Sequence, residues 1–399
     1  MKSIEDRRAA ILPAFDERYG TSERPLVSVH APARTEIAGN HTDHEGGTVV
    51  AGALDRSIEG VAAANGSNVI RVTSMGFDPI EVDLSSLDAD PSEQVSTASL
   101  VRGMAHELAS TGRTPAGFDL VCESDIPAGG GLSSSAAFEC MTGRAMELLW
   151  PGRDVEAIEL AQMAQRAEND YFGKPCGLMD QLSVALGGIA HMGFSDPAVP
   201  AFERLDFDFE AAGYAICLVD VGCDHSQFTD EYAAVPQEMH AVAQALGAER
   251  LGDVEKASFE SQIPVLRERL GDRAVLRALH YWREDELVSA RWDALVAGDM
   301  PAFLAATRAS GASSAMFLQN VACGDTYQPA MVALALAEDV LDGRGAARIH
   351  GGGFGGSIQV FVPLDLVGRF SEAMDGWLGD GACARYAISP EGASSSWLR

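Results

Sequence analysis

Apolar and polar residues alternate in short runs between positions 25 and 65, in LVSVHA, TVVAGAL and GVAAA, and this period of two predicts strands separated by polar turns. The run GFDLVCES at 117–124 has the same character and leads directly into a glycine-rich stretch. Elsewhere apolar residues recur at i, i+3 and i+4, predicting helices over 97–110, 135–149, 154–171 and 178–186. The opening MKSIEDRRAAILPAF mixes charged and apolar residues as an amphipathic helix does. The rhythm breaks at Gly187-Gly188 and again over Ser195-Asp-Pro-Ala-Val-Pro200, which marks 187–206 as the passage between two domains. A strand-like run, YAICLVDVG (214–222), opens the second half. Helical patterns follow over roughly 228–246, 273–298, 301–319 and 326–342, and the chain finishes strand–helix–strand. The predicted class is α+β.

Length and charge narrow the picture. The chain has 399 residues, more than the about 250–300 at which a single core stops growing, so two domains are expected, 1–200 and 201–399. Its 58 acidic residues against 29 basic ones give a formal net charge of −29, a field that repels nucleic acid and anionic membranes. No segment reaches the roughly 18 uninterrupted apolar residues of a membrane span, and the N-terminus lacks the apolar stretch of a signal peptide. Seven scattered cysteines (Cys122, Cys140, Cys176, Cys217, Cys223, Cys323 and Cys383) include no C-x-x-C pair, which fits free thiols in a reducing cytoplasm.

Three segments carry chemistry. In Pro127-Ala-Gly-Gly-Gly-Leu-Ser-Ser-Ser-Ala-Ala137, the run Gly129, Gly130, Gly131 permits positive φ and close approach of backbone to an anion. The helix that follows aims its unpaired N–H groups at the same spot, a cradle for a nucleotide triphosphate built from residues 129–132 with Ser133, Ser134 and Ser135. A Walker A loop is excluded, because lysine occurs only at Lys2, Lys174 and Lys256. Neutralising charge is therefore expected from backbone amides, serine hydroxyls, a metal ion and an arginine. The residue after Ser133-Ser134 is Ser135, so the nucleophile-elbow pattern G-x-S-x-G also fails.

The second segment is Ala31–Gly47, where Asn40, His41 and Asp43 gather an amide, an imidazole and a carboxylate within four positions, a mixture suited to sugar hydroxyls. His41 and His44 at i, i+3 also suggest a metal site, but no second ligand cluster has the spacing zinc shows. The third, Gly351-Gly-Gly-Phe-Gly-Gly356, has more glycines than a hairpin needs, which points to close approach of this backbone to a ligand or another loop. Glu168, on a helix, and Asp180, in Pro175-Cys-Gly-Leu-Met-Asp-Gln181, are an acid pair open to two readings: solvated surface carboxylates, or groups turned toward a phosphate-bound Mg²⁺.

Taken together these segments resemble the GHMP small-molecule kinases, most closely the galactokinase branch. The family's first signature, G-R-x-N-x-I-G-E-H-T-D-Y-x-G-G, is matched by residues 33–47, its second, P-x-G-x-G-L-S-S-S-A-A, by 127–137, and its third, G-G-G-F-G-G, by 351–356. The stretch 175–181 is similar to P-C-G-I-M-D-Q, Asp230-Glu-Tyr232 to S-E-Y, and Gly298-Asp-Met-Pro-Ala-Phe303 to G-D-x-x-A-F. The resemblance runs in order across nearly the whole chain. It implies a two-domain GHMP kinase fold, with a ribosomal protein S5 domain 2-like N-terminal domain, a C-terminal α+β domain and the active site in the cleft between them. It also implies ATP-dependent phosphorylation of the anomeric hydroxyl of galactose, giving galactose 1-phosphate and ADP.

On that resemblance Asp180 accepts the proton of the attacking hydroxyl, and Arg34 beside it keeps the aspartate ionised and steadies the transferred phosphoryl group. Ser135 and Glu168 match the family's Mg²⁺ ligands. Arg34, Asn40, His41, Asp43, Gly177, Asp180 and Tyr232 match its sugar-binding positions. The implied cofactors are ATP and Mg²⁺, and the implied partners are galactose and ATP, with no nucleic acid or membrane; a monomer is compatible with every feature of the sequence. The chain departs from the pattern at Asn40, where the family carries Glu, at His44, where it carries Tyr, and near Thr97, where a Trp is often found. A sister sugar 1-kinase acting on N-acetylgalactosamine, arabinose or a uronic acid, and a non-catalytic sugar and ATP sensor, therefore stand as alternatives.

Overall fold

A computed structural model describes residues 4–20, 24–127, 130–196, 199–223, 228–322, 324 and 326–398. Two sheets organise it. The larger contains β1 (Val27–Ala38), β2 (Thr48–Ala64), β3 (Val69–Ser74), β4 (Ile80–Asp83), β5 (Phe118–Ser124), β6 (Ile189–Gly193) and β7 (Ala201–Leu205). The smaller contains β8 (Tyr214–Asp220), β9 (Ala346–Ile349), β10 (Ser357–Pro363) and β11 (Cys383–Tyr386), while β12 (Ser394–Trp397) returns to the first. Their orders are β12-β1-β2-β5-β3-β4, with β6 and β7 attached to β2, and β11-β8-β10-β9.

TVVAGAL and GVAAA, which read as two strands, form one, β2. Its first half pairs with β6 and its second with β5, and β1 runs antiparallel to both halves. Asp55 and Arg56 interrupt the apolar pattern but not the strand, because the register slips between Pro32 and Ala33 and leaves them in a bulge. Residues 187–206 hold the hairpin of β6 and β7 on the first sheet, each strand only five residues long and so too short to show a period. The short β3 and β4 likewise escape the sequence pattern, and so does the helix Lys256–Leu270, which buries only Phe259 and Leu266. The helices at Thr97–Ser110, Ser134–Leu149, Met179–Leu186, Thr229–Ala245, Asp272–Ala297, Met300–Ser313 and Pro329–Leu341 follow the periodicity to within a few residues.

Helices Thr97–Ser110, Ser134–Leu149 and Met179–Leu186 cover the first sheet through Met104, Leu108, Met141 and Leu182, and Ala157–Arg166 packs on these helices through Leu160. Against the second sheet pack Pro329–Leu341 and Val367–Leu378, through Ala333, Leu341, Phe370 and Met374. A third apolar cluster joins the two, with Ile37, Val50 and Ile189 meeting Ile216, Trp292, Phe303 and Phe361. Buried polar contacts cross the same seam: Arg348 pairs with Glu36 at 2.8 Å, and Gln359 Nε2 donates to Thr35 Oγ1 at 2.8 Å. The end of β1 is thereby fixed against β9 and β10, and β1 is the strand that bears Arg34.

Candidate functional site

Two chain reversals build the anion side. After β5 the backbone turns through Gly131, at φ 68°, and Ser133, at φ 56°, before the helix Ser134–Leu149 begins. Ser133 occupies the N-cap position yet makes no capping bond with its side chain; its hydroxyl donates to Asp180 instead. The first N–H groups of the helix are thus not closed off by their own cap residue, the arrangement an incoming phosphate exploits. Gly129 lies outside the described residues. A cleft of about 370 Å³ opens over Gly130, Gly131, Leu132, Ser133, Ser134 and Ser135, bounded by Arg34, Lys174, Asp180, Tyr232 and His350–Gly352. Another hollow, of about 410 Å³, is lined by Asp206, Asp208 and Glu210 and by no basic side chain, which makes it hostile to a triphosphate.

Arg34 and Asp180, 146 positions apart, meet as a fork. Nε donates to Oδ1 at 2.6 Å and Nη2 to Oδ2 at 2.8 Å, while Nη1 donates to the Gly131 carbonyl. The backbone N–H of Arg34 also bonds Leu132 O at 3.3 Å, so one residue ties the carboxylate to the glycine loop. The Asp180 side chain is 27% exposed, toward the cleft. Its depth in the fold opposes ionisation, but the charge and hydrogen bonds of Arg34, with Ser133, outweigh this and hold it below the usual carboxylate range. Burial likewise opposes the Arg34 charge, and Asp180 more than restores it.

Glu168 sits in a π-helical turn, Ala167–Phe172, that continues the helix Ala157–Arg166. Its Oε1 accepts from Ser135 Oγ at 3.1 Å and its Oε2 from Gln181 Nε2 at 2.7 Å. A hydroxyl and a carboxylate at this separation are hard oxygen donors of the kind Mg²⁺ takes, with phosphate oxygens and water completing its shell. Among the described residues there is no group of three acids, histidines or cysteines placed to hold a metal ion. Three neighbours were not singled out from sequence. Lys174 Nζ lies 3.1 Å from the same Glu168 Oε1, which adds a lysine to the expected sources of positive charge. Gln181 bridges Glu168 to Glu139, whose carboxyl is pushed well above its ordinary value by burial and then by Glu168. Glu139 lies one helical turn beyond Ser135, and that spacing was its only visible signal.

The other reversal, between β1 and β2, carries Asn40 at φ 127° and His41 at φ 59°. His41 Nε2 donates to Gly352 O at 3.0 Å, so its Nδ1 accepts from His44 Nε2, also at 3.0 Å. His44 Nδ1 in turn lies 3.7 Å from Glu45. Asp43 packs against Gly177, where a Cβ would come within 2.7 Å of Oδ2. Tyr232 lines the cleft with its ring 5.3 Å from that of His41, and a Cβ at Gly352 would overlap the tyrosine ring. The glycines at 351–356 thus admit close approach of other loops, with Gly353 against Asn320 and Gly355 against Cys223. Asn40 is fully buried: its Oδ1 accepts from Asn320 Nδ2 at 2.8 Å and its Nδ2 faces Gly351 O at 3.3 Å. Near Thr97 the exposed apolar side chain is Val95, 74% accessible at φ 61°.

The histidine pair gives a direct test. Burial, reinforced by His44, pushes His41 down to about 3. Burial would lower His44 as well, but Glu45 and Asp43 outweigh it and raise it above 6.5. In an NMR pH titration the His44 ring should change state above pH 6.5 while His41 stays neutral throughout the stable range. The contribution of His44 to stability is then complete below pH 6.5 and is lost as pH climbs through its raised folded value. A His41 signal that titrates near neutrality would contradict the hydrogen-bond order.

Comparison with known proteins follows the same segments. The family described as GHMP kinases N terminal domain matches residues 99–188, and the galactokinase galactose-binding signature matches residues 13–64. The chain is 32% identical over 365 residues to a galactokinase of Streptomyces coelicolor, covering 90% of each protein. It is 31% identical over 382 residues to a galactokinase of Chloroflexus aurantiacus, covering 92% of each. Its fold superposes on the crystal structure of Lactococcus lactis galactokinase complexed with galactose with a TM-score of 0.83, at 24% identity and over 97% of this chain and 99% of that one.

Proposed function

Because this chain belongs to the galactokinase family of the GHMP kinases, we propose that it transfers the γ-phosphoryl group of ATP to the anomeric hydroxyl of galactose, releasing galactose 1-phosphate and ADP. The observation that carries the reading is the Arg34–Asp180 fork, which faces the uncapped start of the helix Ser134–Leu149 across one cleft. Triphosphate lies along 130–135 on the backbone amides and serine hydroxyls. Galactose is gripped by Arg34, His41, Asp43, Gly177, Asp180 and Tyr232, and Asn40 shapes this pocket from behind. Ser135 and Glu168 would hold Mg²⁺, which would neutralise phosphate charge.

In the transfer the anomeric oxygen bonds to the γ-phosphorus as the bridging oxygen leaves with ADP, and the hydroxyl proton passes to Asp180. A carboxylate held below the usual range is a weak base. It therefore orients the hydroxyl first and takes the proton late, which suits the loose transition state of phosphoryl transfer. Arg34 keeps it charged and faces the migrating phosphoryl group. Residues 1–200 and 201–399 form the two domains in this reading, with β7 and β12 of the second part lying on the first sheet, and free thiols suit a cytoplasmic enzyme. No helix among the described residues is long and apolar enough to cross a membrane.

The alternative sugars are not favoured, because the change at residue 40 is absorbed within the protein by Asn320 and Gly351. A sensor is not favoured either, since the fork and the serine loop are intact. Incubation with Mg-ATP and, separately, galactose, glucose, N-acetylgalactosamine and arabinose, followed by phosphorus NMR, should give a C1 phosphate of galactose with about 100-fold preference over glucose. Preferred transfer to another sugar, or to another carbon, overturns the proposal.

A further inference from the structure

Lys174 is one of three lysines in a chain of net charge −29, and it is placed in the cleft beside Arg34, Asp180 and Ser133–Ser135. Its backbone is pinned, with N–H groups of Gly173 and Lys174 donating to Glu168 O at 3.0 and 3.2 Å. Its side chain is not: it is 61% exposed, whereas that of Glu168 is 3% exposed. The carboxylate is thus held from inside, by Gln181 on Oε2, while the ammonium reaches Oε1 from the open side. Partial burial opposes the lysine charge, but Glu168 outweighs it and the group stays protonated.

The oxygen that carries the ammonium also faces Ser135, the other group assigned to Mg²⁺. A divalent ion held by the same oxygen would repel an ammonium there by like charge, so the lysine would have to give up that oxygen. Of Arg34 and Lys174, the arginine and lysine that line the cleft among the described residues, Arg34 is already engaged by Asp180 and Gly131. Resting on the functional reading above, we propose that Lys174 is a phosphate-binding residue: it occupies Glu168 Oε1 in the nucleotide-free protein and swings to the β- and γ-phosphate oxygens when Mg-ATP enters. A four-carbon stem ending in a rotatable ammonium suits such a transfer better than a planar guanidinium.

The test uses the full-length protein and the variants Lys174→Met and Lys174→Arg, with calorimetric binding of ATP in EDTA, of ATP with Mg²⁺, and of galactose. Lys174→Met is expected to weaken both forms of ATP by about tenfold, the loss of one charge-assisted contact. It should also lower the Mg²⁺ concentration needed for half-maximal effect at saturating ATP, since no ammonium has to be displaced. Lys174→Arg should recover most of the affinity, and galactose binding should be unchanged in both. Wild-type ATP affinity in Lys174→Met, with or without altered melting temperature, overturns the assignment and leaves Lys174 a counter-ion of Glu168. A wild-type protein that binds no ATP in either condition overturns the functional reading itself, and this proposal with it.

Discussion

Asp180→Asn should lower kcat by on the order of 10²–10⁴-fold, the range a positioned proton acceptor supplies, while galactose still binds. Asparagine has the shape of aspartate, so its one carbonyl oxygen, in the place of Oδ2, can still accept from Arg34 Nη2 and Ser133, and the helix start that Asp180 occupies in Met179–Leu186 is undisturbed. What disappears is the negative charge that orients the hydroxyl and receives its proton. Calorimetry should return a galactose dissociation constant within about threefold of wild type, a change too small to explain the rate loss. Turnover near the wild-type rate would remove Asp180 from the reaction.

Arg34→Met should be nearly as damaging, by on the order of 10²–10³-fold in kcat/KM, and it should add a pH effect that distinguishes it. In the wild type the arginine overcomes the burial that opposes Asp180 ionisation, so the carboxylate stays charged below its ordinary value of 3.8. Without the guanidinium that burial is opposed chiefly by the Ser133 hydrogen bond and the charge of Lys174. The acid limb of kcat/KM should therefore move to higher pH in Arg34→Met, because a larger fraction of Asp180 is protonated at any given pH. An acid limb that stays in place while the rate falls would mean that Arg34 acts on the phosphoryl group alone.

Local signals carried much of this protein. Gly131, Ser133 and Ser135 announce a turn into a helix because the conformational needs of that turn fall on adjacent residues, and the long helices declare themselves by period. Asn40 was visible as a departure, but its meaning depends on Asn320, 280 positions later. Lys174 was visible as one lysine among three, yet its role rests on an oxygen presented by a π turn that periodicity does not encode. The hairpin of β6 and β7 is set by pairing with β2, and the helix Lys256–Leu270 turns most of its surface outward, so neither leaves an apolar rhythm to read. Contacts between distant segments, rather than propensity, decided each of these.

The contact between Arg348 and Glu36 bears on which substitutions the junction can tolerate. Both ions are buried and 312 positions apart in the chain, so removing either one leaves the other as an uncompensated charge in the interior, at a cost of about 3–5 kcal/mol. Sequence drift at one end of the chain is thereby tied to the residue kept at the other.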